Sequence, residues 1–491
     1  MAKKPEPTPT ASLQFSAYFR IFLTVAVGLM VANLFLTNDY NVLQPRAEVA
    51  SLLRVVTGGA ENLPQWLQAG IFEAFGFSPF GWRAVSVVFL LGGAWFFYNI
   101  GRRVFGEGTV VLTLLVLGSS LLVVNLAKFA SADVPFLVLS MVLTVLTLLV
   151  LKQPEKNWKW YYLVALGAAT ATAPVSTVLF AAALTVGLLV AHPQRRRLPA
   201  PLLLGATAVA GGIAFVLNGF RITFPDYQFI DLNLRTDYGG YAVAQVIGFL
   251  PWFGFLLAAL WNVVVQWRRG EELSIIAGVW LIAALASGSA ASQWVLALLI
   301  AKNGINYFKD GYPLRGLVQT GAVLQVVFVF FLASYQMIDG FERLGGAGFR
   351  VFMGVSAAYW IPSIVALSGL VGKNRRTAIA GTAMSGILAT LLYWILLNPI
   401  VQDTRNQPRL MVAAVRGMTE GGYFRKRIDE GVSEQSRVYL HGVFREDALQ
   451  NALPGVAEIE FYGYRNDSLQ FLQRHGGAEV LRVEDTWVVR R

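Results

Sequence analysis

Lys128-Phe-Ala-Ser-Ala-Asp133-Val-Pro135 sets an ammonium and a carboxylate five residues apart between two apolar runs, each long enough to cross a bilayer. Ionisable groups beside hydrocarbon are costly unless they face water, a cavity or a partner. The island is therefore either a wet interfacial turn or part of a site where a polar substrate meets the membrane. In the first case Asp133 suits the positive N-terminal end of the next helix and pairs locally with Lys128. Other ionisable residues share this setting: Asp39 just after the first apolar run, Arg46 and Glu48 a few residues on, and Arg83 at the start of the second run. Each also has a structural reading. Asp39 can be an exposed helix-end group, Arg46 and Glu48 a rim ion pair, and Arg83 a snorkelling interfacial anchor. The chain has no Cys, which removes thiol chemistry, and His192, His441 and His475 are not spaced as metal ligands, so a His-built zinc site is not expected.

The elements that must hold these residues follow from composition. At 491 residues, 55% hydrophobic and 14% charged, the chain is an α-helical polytopic membrane protein. Apolar runs place membrane helices near 17–37, 84–101, 108–126, 134–151, 160–174, 175–191, 200–217, 245–266, 274–289, 290–303, 317–335, 348–371 and 377–398, about thirteen in all. The 160–191 and 274–303 pairs can each also be read as one broken span. The first run has no small-residue cleavage site after it and reads as a retained helix behind a cytoplasmic arm, 1–16. With the N-terminus cytoplasmic, every second connection should be rich in Lys and Arg. Those connections carry Arg102/Arg103, Lys152/Lys156/Lys159, Arg195–Arg197, Arg268/Arg269, Lys302/Lys309/Arg315 and Lys373/Arg375/Arg376. The net charge of +11 is scattered through these turns, which is not the pattern of a nucleic-acid binder.

The same parity places 38–83, the Lys128–Asp133 island, 218–244, 336–347 and the residues after about 399 outside. Leu63–Phe75 has apolar residues at helical spacing, with Trp66 and Phe72, as expected of a helix lying at the interface. The 218–244 loop, with Arg221, Asp226, Asp231, Arg235 and Asp237, is either a solvated connection or a flap. From about Arg409 the composition turns charged. Val438–His441 and Ile459–Tyr462 read as strands, Asp447–Leu453 and Asp467–His475 as helices, and 479–490 as a hairpin. Three regions result: the arm 1–16, a membrane domain 17–398, and a small external α/β domain 399–491 without a phosphate loop or metal signature.

Several phrases, taken in order, resemble the GT-C-fold membrane glycosyltransferases, specifically the aminoarabinose transferase and protein O-mannosyltransferase group. Leu63–Phe75 running into Gly76-Phe-Ser78-Pro-Phe-Gly-Trp-Arg83-Ala-Val-Ser is similar to that family's amphipathic helix and "F-G-x-S-x-x-x-x-R-L-P-S". Ile100-Gly-Arg102-Arg103-Val-Phe105-Gly106 is similar to its "arrlfG" turn. The island is similar to its "A-R-x-x-x-x-D-x-x-L", with Asp133 at the acidic position, and Glu460-Phe-Tyr462-Gly-Tyr-Arg465 to its "FY-x-x-R". The resemblance implies transfer of a sugar from a polyprenyl-phosphate donor to a lipid, glycan or protein acceptor, with inversion, at the outer face of a bacterial inner membrane. It assigns Asp39 and Asp133 as catalytic acids, and Arg46, Lys128 and Arg83 as groups meeting the donor phosphate. A divalent metal on the two carboxylates is compatible with the sequence and not demanded by it. The sequence departs from the family where the first helix ends: the "D-E-x-R-Y-A-E" pair falls on Leu43 and Gln44, leaving Asp39 as substitute, and no "E-K-P-P" precedes Pro64. A non-catalytic subunit supporting other membrane proteins is therefore the alternative, and a transporter a third.

Overall fold

The computed structural model describes residues 17–36, 46–153, 156–191, 200–218, 244–269, 272–286, 289–403, 407–418, 425–429, 431–444, 458–463, 478–483 and 486–490. Asp39, most of the 218–244 loop, and the helices expected at Asp447–Leu453 and Asp467–His475 lie outside them. The chain is an integral membrane protein. Among the described residues, six helical segments are long and apolar enough to cross a membrane, and shorter apolar helices stand beside them.

In chain order the helices are α1 (Ala17–Phe35), α2 (Arg46–Val56), α3 (Leu63–Phe75), α4 (Pro79–Phe105), α5 (Glu107–Gly118), α6 (Leu121–Leu126), α7 (Asp133–Lys152), α8 (Trp158–Thr172), α9 (Pro174–Ala191) and α10 (Ala200–Asn218). Then come α11 (Phe253–Arg268), α12 (Glu272–Ala286), α13 (Ala291–Tyr307), α14 (Arg315–Val371), α15 (Arg375–Leu392), α16 (Asn398–Asp403) and α17 (Gln407–Met418). Local chemistry sets several boundaries. Asn62 caps α3 by accepting from Gln65 N at 3.0 Å, and Gly76, at φ 76°, ends it. Ser78 caps α4 by accepting from Gly81 N, with Pro79 in the first turn. The run read as one helix over 108–126 is broken at Ser119-Ser120, where Ser120 caps α6 and its hydroxyl donates to Gly248 O.

Two of the ambiguous pairs resolve into hairpins. Ala173 separates α8 from α9 and clusters with Phe136, Phe180, Ala284 and Ala291, so both helices meet at the end of the bundle where α7 begins. Helix α13 runs antiparallel to α5: Gln293 lies beside Ser120, and Gly304 faces Leu112. Residues 308–314 therefore stay at the Arg102–Arg103 end, away from the island. Helix α14 is one run of helical backbone, but it is not straight. Gln319 Nε2 donates to Leu370 O at 3.4 Å, and the Phe330 and Trp360 rings are 5.6 Å apart. A straight helix would carry residues 319 and 370 about 75 Å apart. The run thus doubles back near Gly345-Gly346, giving two antiparallel arms where two spans were expected.

Glycine crossings bring helices into backbone contact, as membrane packing favours. A Cβ on Gly254 would lie 2.2 Å from Val318 O, and one on Gly321 would lie 2.6 Å from Gly254 Cα. That pair locks α11 onto α14.

The C-terminal residues form a four-stranded sheet in the order β1-β2-β4-β3: β1 (Arg425–Ile428), β2 (Glu458–Gly463), β3 (Glu479–Val483) and β4 (Thr486–Arg490). The strand expected over Ile459–Tyr462 and the hairpin over 479–490 are present, and β1 joins β2 in parallel. The strand expected at Val438–His441 is instead helix α18 (Glu434–Val443). Ser433 caps it by accepting from Ser436 N, and its apolar residues serve two faces, which the alternation of a strand cannot provide. Leu440 packs with Ile459, Phe461, Val488, Met411 and Val415, while Val438 and Tyr439 turn to α2. We expect Gly254→Val to overpack the α11–α14 crossing and cost about 1–3 kcal/mol, seen as a lower Tm in detergent. Gly212→Val, at a glycine with nothing within 4 Å of its added Cβ, should leave Tm near the wild-type value.

Candidate functional site

The Lys128–Asp133 island sits where α1, α2, α4, α7 and α15 meet at one end of the bundle. The α4 side fixes its backbone: Ser86 Oγ donates to Phe129 O at 2.7 Å. From the α2 side, Glu48 Oε1 accepts from Ala130 N at 2.8 Å. The same carboxylate takes both sides of a bidentate pair, Arg83 Nε to Oε1 at 2.9 Å and an Arg83 terminal nitrogen to Oε2 at 3.0 Å. Glu48 is 0% exposed and Arg83 4%. Arg83 is therefore not the exposed snorkelling anchor read from the sequence: its guanidinium is buried and pairs with Glu48. Glu48, read earlier as a rim partner of Arg46, is the buried centre of this junction.

Lys128 is 1% exposed. Its ammonium donates to the carbonyls of Asn33 and Leu36, the latter at 2.7 Å, and lies 4.8 Å above the Trp394 ring. The last carbonyls of a helix have no partner of their own, so Lys128 caps α1 from another part of the chain, at the negative end of its dipole. The Lys128 side chain, expected to meet a donor phosphate, points into the protein here. Trp394 is itself held, Nε1 to Asn125 Oδ1 at 2.6 Å, on the π-helical turn Tyr393–Leu397 that interrupts the last long helix. Asn33 Nδ2 donates to Thr390 Oγ1 at 3.0 Å and ties α1 to α15.

Asp133 opens α7 in the position that favours a carboxylate at a helix N-terminus. It is only partly buried, and its Oδ2 accepts from Ser131 Oγ at 2.9 Å. Of the island's two charges, the carboxylate is thus the one that reaches the surface. Arg46 begins α2, two residues before Glu48. Asp39 lies in the segment 37–45 between α1, capped by Lys128, and α2, anchored by Glu48. Sequence reasoning missed Asn33, Asn125, Ser131 and Trp394. The two Asn stand alone in apolar runs, and a lone amide in a membrane helix signals a buried partner.

A second buried polar group adjoins the island at the same end. Gln293 Nε2 donates to Gln245 Oε1 at 2.7 Å, Ser292 Oγ donates to the same oxygen, and Ser120 Oγ joins them to Gly248 O. Among the described residues no three His, Asp or Glu side chains converge as metal ligands.

The roof comes from the C-terminal unit. Val438 and Tyr439 of α18 close over Val49, Leu52, Trp82, Phe72 and Ala130, with Tyr439 and Phe77 rings 4.9 Å apart. Water is kept from the Glu48–Arg83 pair, which strengthens it.

Comparison with known proteins places the chain in the GT-C fold. Residues 62–217 match the family model described as dolichyl-phosphate-mannose-protein mannosyltransferase. The whole chain is similar to ArnT from Cupriavidus metallidurans, solved bound to undecaprenyl phosphate: TM-score 0.64, 15% identity, covering 96% of this chain and 98% of that one. The apo structure of the same protein matches with TM-score 0.63, 16% identity and coverage of 96% and 97%. No curated protein matches the chain in sequence.

Burial and, secondarily, the Arg83 guanidinium pull the Lys128 pKa from 10.5 down to about 7. Even as a neutral amine it keeps donors for both α1 carbonyls. With the folded-state value below the unfolded one, the unfolded chain binds the extra proton between them, so stability climbs as pH rises through that window. Tm in detergent should therefore rise from about pH 7 to about pH 9 for the wild type, and Lys128→Met should flatten that rise. An unchanged slope in the variant would contradict the assignment.

Proposed function

We propose that this chain is a membrane glycosyltransferase taking its sugar from a polyprenyl-phosphate donor. The observation that carries the proposal is the fold shared over nearly the full length with a protein solved with undecaprenyl phosphate, joined to a partly exposed acid, Asp133, on a junction built from five helices. In this reading the Lys128 end faces outward and the Arg102 end faces the cytoplasm of a bacterial cell. The acceptor is a lipid, a glycan or a protein.

The chemistry is displacement at the anomeric carbon of the donor. The acceptor oxygen forms a bond to that carbon as the bond to the phosphate oxygen breaks, and the acceptor proton passes to a carboxylate. Asp133 orients or deprotonates the acceptor hydroxyl, with Asp39 as the second acid. Arg46, at the start of α2, meets the phosphate as charge develops on it. Lys128 and Arg83 contribute by holding the outer end of α1 and the α2–α4 contact in place.

A non-catalytic subunit is the second reading, and one observation favours it: two of the three cations expected at the phosphate are buried and committed to protein partners. Turnover separates the two. Purified wild type, given undecaprenyl-phosphate sugars and membrane lipid acceptors, should transfer sugar, and Asp133→Asn should slow transfer by about a hundredfold or more while retaining undecaprenyl phosphate binding. Binding of that lipid without transfer by the wild type supports the subunit reading instead.

A further inference from the structure

We propose that Glu48 is a positioning residue: by accepting the Ala130 N–H, it holds the island that carries Asp133 at a fixed offset from the helix that begins at Arg46. The inference rests on the glycosyltransferase reading for its catalytic consequence and on geometry alone for the clasp.

The backbone accounting of the island singles out this bond. Lys128 N and Phe129 N find carbonyls in the preceding turn, at Asn125 and Leu126. Asp133 N reaches Ser131 Oγ at 3.4 Å. Ala130 N reaches out of the turn, to a side chain eighty-two residues earlier in the chain. A buried backbone donor must be satisfied, and here a carboxylate on α2 does it. That single oxygen also receives Arg83 Nε, so α2, α4 and the island share one atom. Asp133 follows Ala130 by three residues and Arg46 precedes Glu48 by two. A slip at Glu48 therefore moves the acid relative to the expected phosphate contact.

Stability alone does not account for a charged pair here. Burying two ions costs about as much as their attraction returns, and apolar replacements of similar size are often neutral or stabilising. An apolar pair would fill the space under Trp82, Tyr439 and Val438 equally well. It would not accept the Ala130 N–H.

Two double variants separate acceptance from charge and volume. Glu48→Met/Arg83→Met removes the ion pair and the acceptor together. Glu48→Gln/Arg83→Met removes the ion pair but keeps an amide oxygen for Ala130 N. Neither leaves an unpaired buried charge, so both should fold, Met/Met with the lower Tm because the buried Ala130 N–H loses its acceptor. Hydrogen exchange of the full-length protein in lipid nanodiscs should be fast over 127–133 in the Met/Met variant and slow in the Gln/Met variant and the wild type. With undecaprenyl-phosphate sugar as donor, kcat should fall roughly tenfold to a hundredfold in Met/Met, with donor KM little changed, and Gln/Met should recover at least about tenfold of that loss. Equal exchange in the two variants, or equal turnover, overturns the inference. If the wild type itself has no turnover, the proposed activity fails separately, and the exchange result alone decides the clasp: slow exchange in Met/Met overturns it.

Discussion

The junction depends on one buried carboxylate set among two buried cations. Glu48 faces Arg83 directly, while the partners of Lys128 among the described residues are helix carbonyls and an indole face. Charge in a poorly solvated place is tolerated when every lone pair and proton is used. Glu48 meets that demand with three hydrogen bonds, Lys128 with two carbonyls and Trp394. Burial first, and the Arg83 guanidinium second, lower the Lys128 pKa, so this group acts through the carbonyls it caps more than through its charge.

Everything around the junction follows from satisfying those groups. The end of α1 is drawn to Lys128, α2 and α4 are joined by Glu48 and Arg83, and the last long helix breaks into a π-turn that presents Trp394. Such π-turns recur at functional sites. Helix α18 then seals α2 from above, so the C-terminal unit is part of the junction's dielectric and not an independent appendage. Of the island's two charges, Asp133 is the one that remains partly open to the surface.

The helical bundle was largely legible from apolar runs, because bilayer thickness and backbone hydrogen bonding leave little choice of element. The doubling back of α14 could be read from the polar stretch around Asp339–Arg343. The hairpin at 479–490 could be read from its composition. The inward turn of Lys128 and Arg83 could not. A cation at the end of an apolar run looks the same in sequence whether it snorkels outward or caps a distant helix. Only the long-range partners, Asn33 and Glu48, decide between them, and no local spacing encodes those. Val438–His441 failed for a related reason: four residues of β-branched and aromatic character are ambiguous until the Ser433 cap and the two packing faces are known.

The glycosyltransferase reading requires a polyprenyl phosphate to bind at the Lys128–Asp133 end of the bundle. An electron cryomicroscopy structure of the wild type with undecaprenyl phosphate tests it most directly. Phosphate density is expected at that end, within reach of Asp133 and the start of α2, with Glu48, Arg83 and Lys128 retaining their present partners. Density at the Arg102–Arg103 end, or a lipid confined to the outer surface of the bundle, would contradict it.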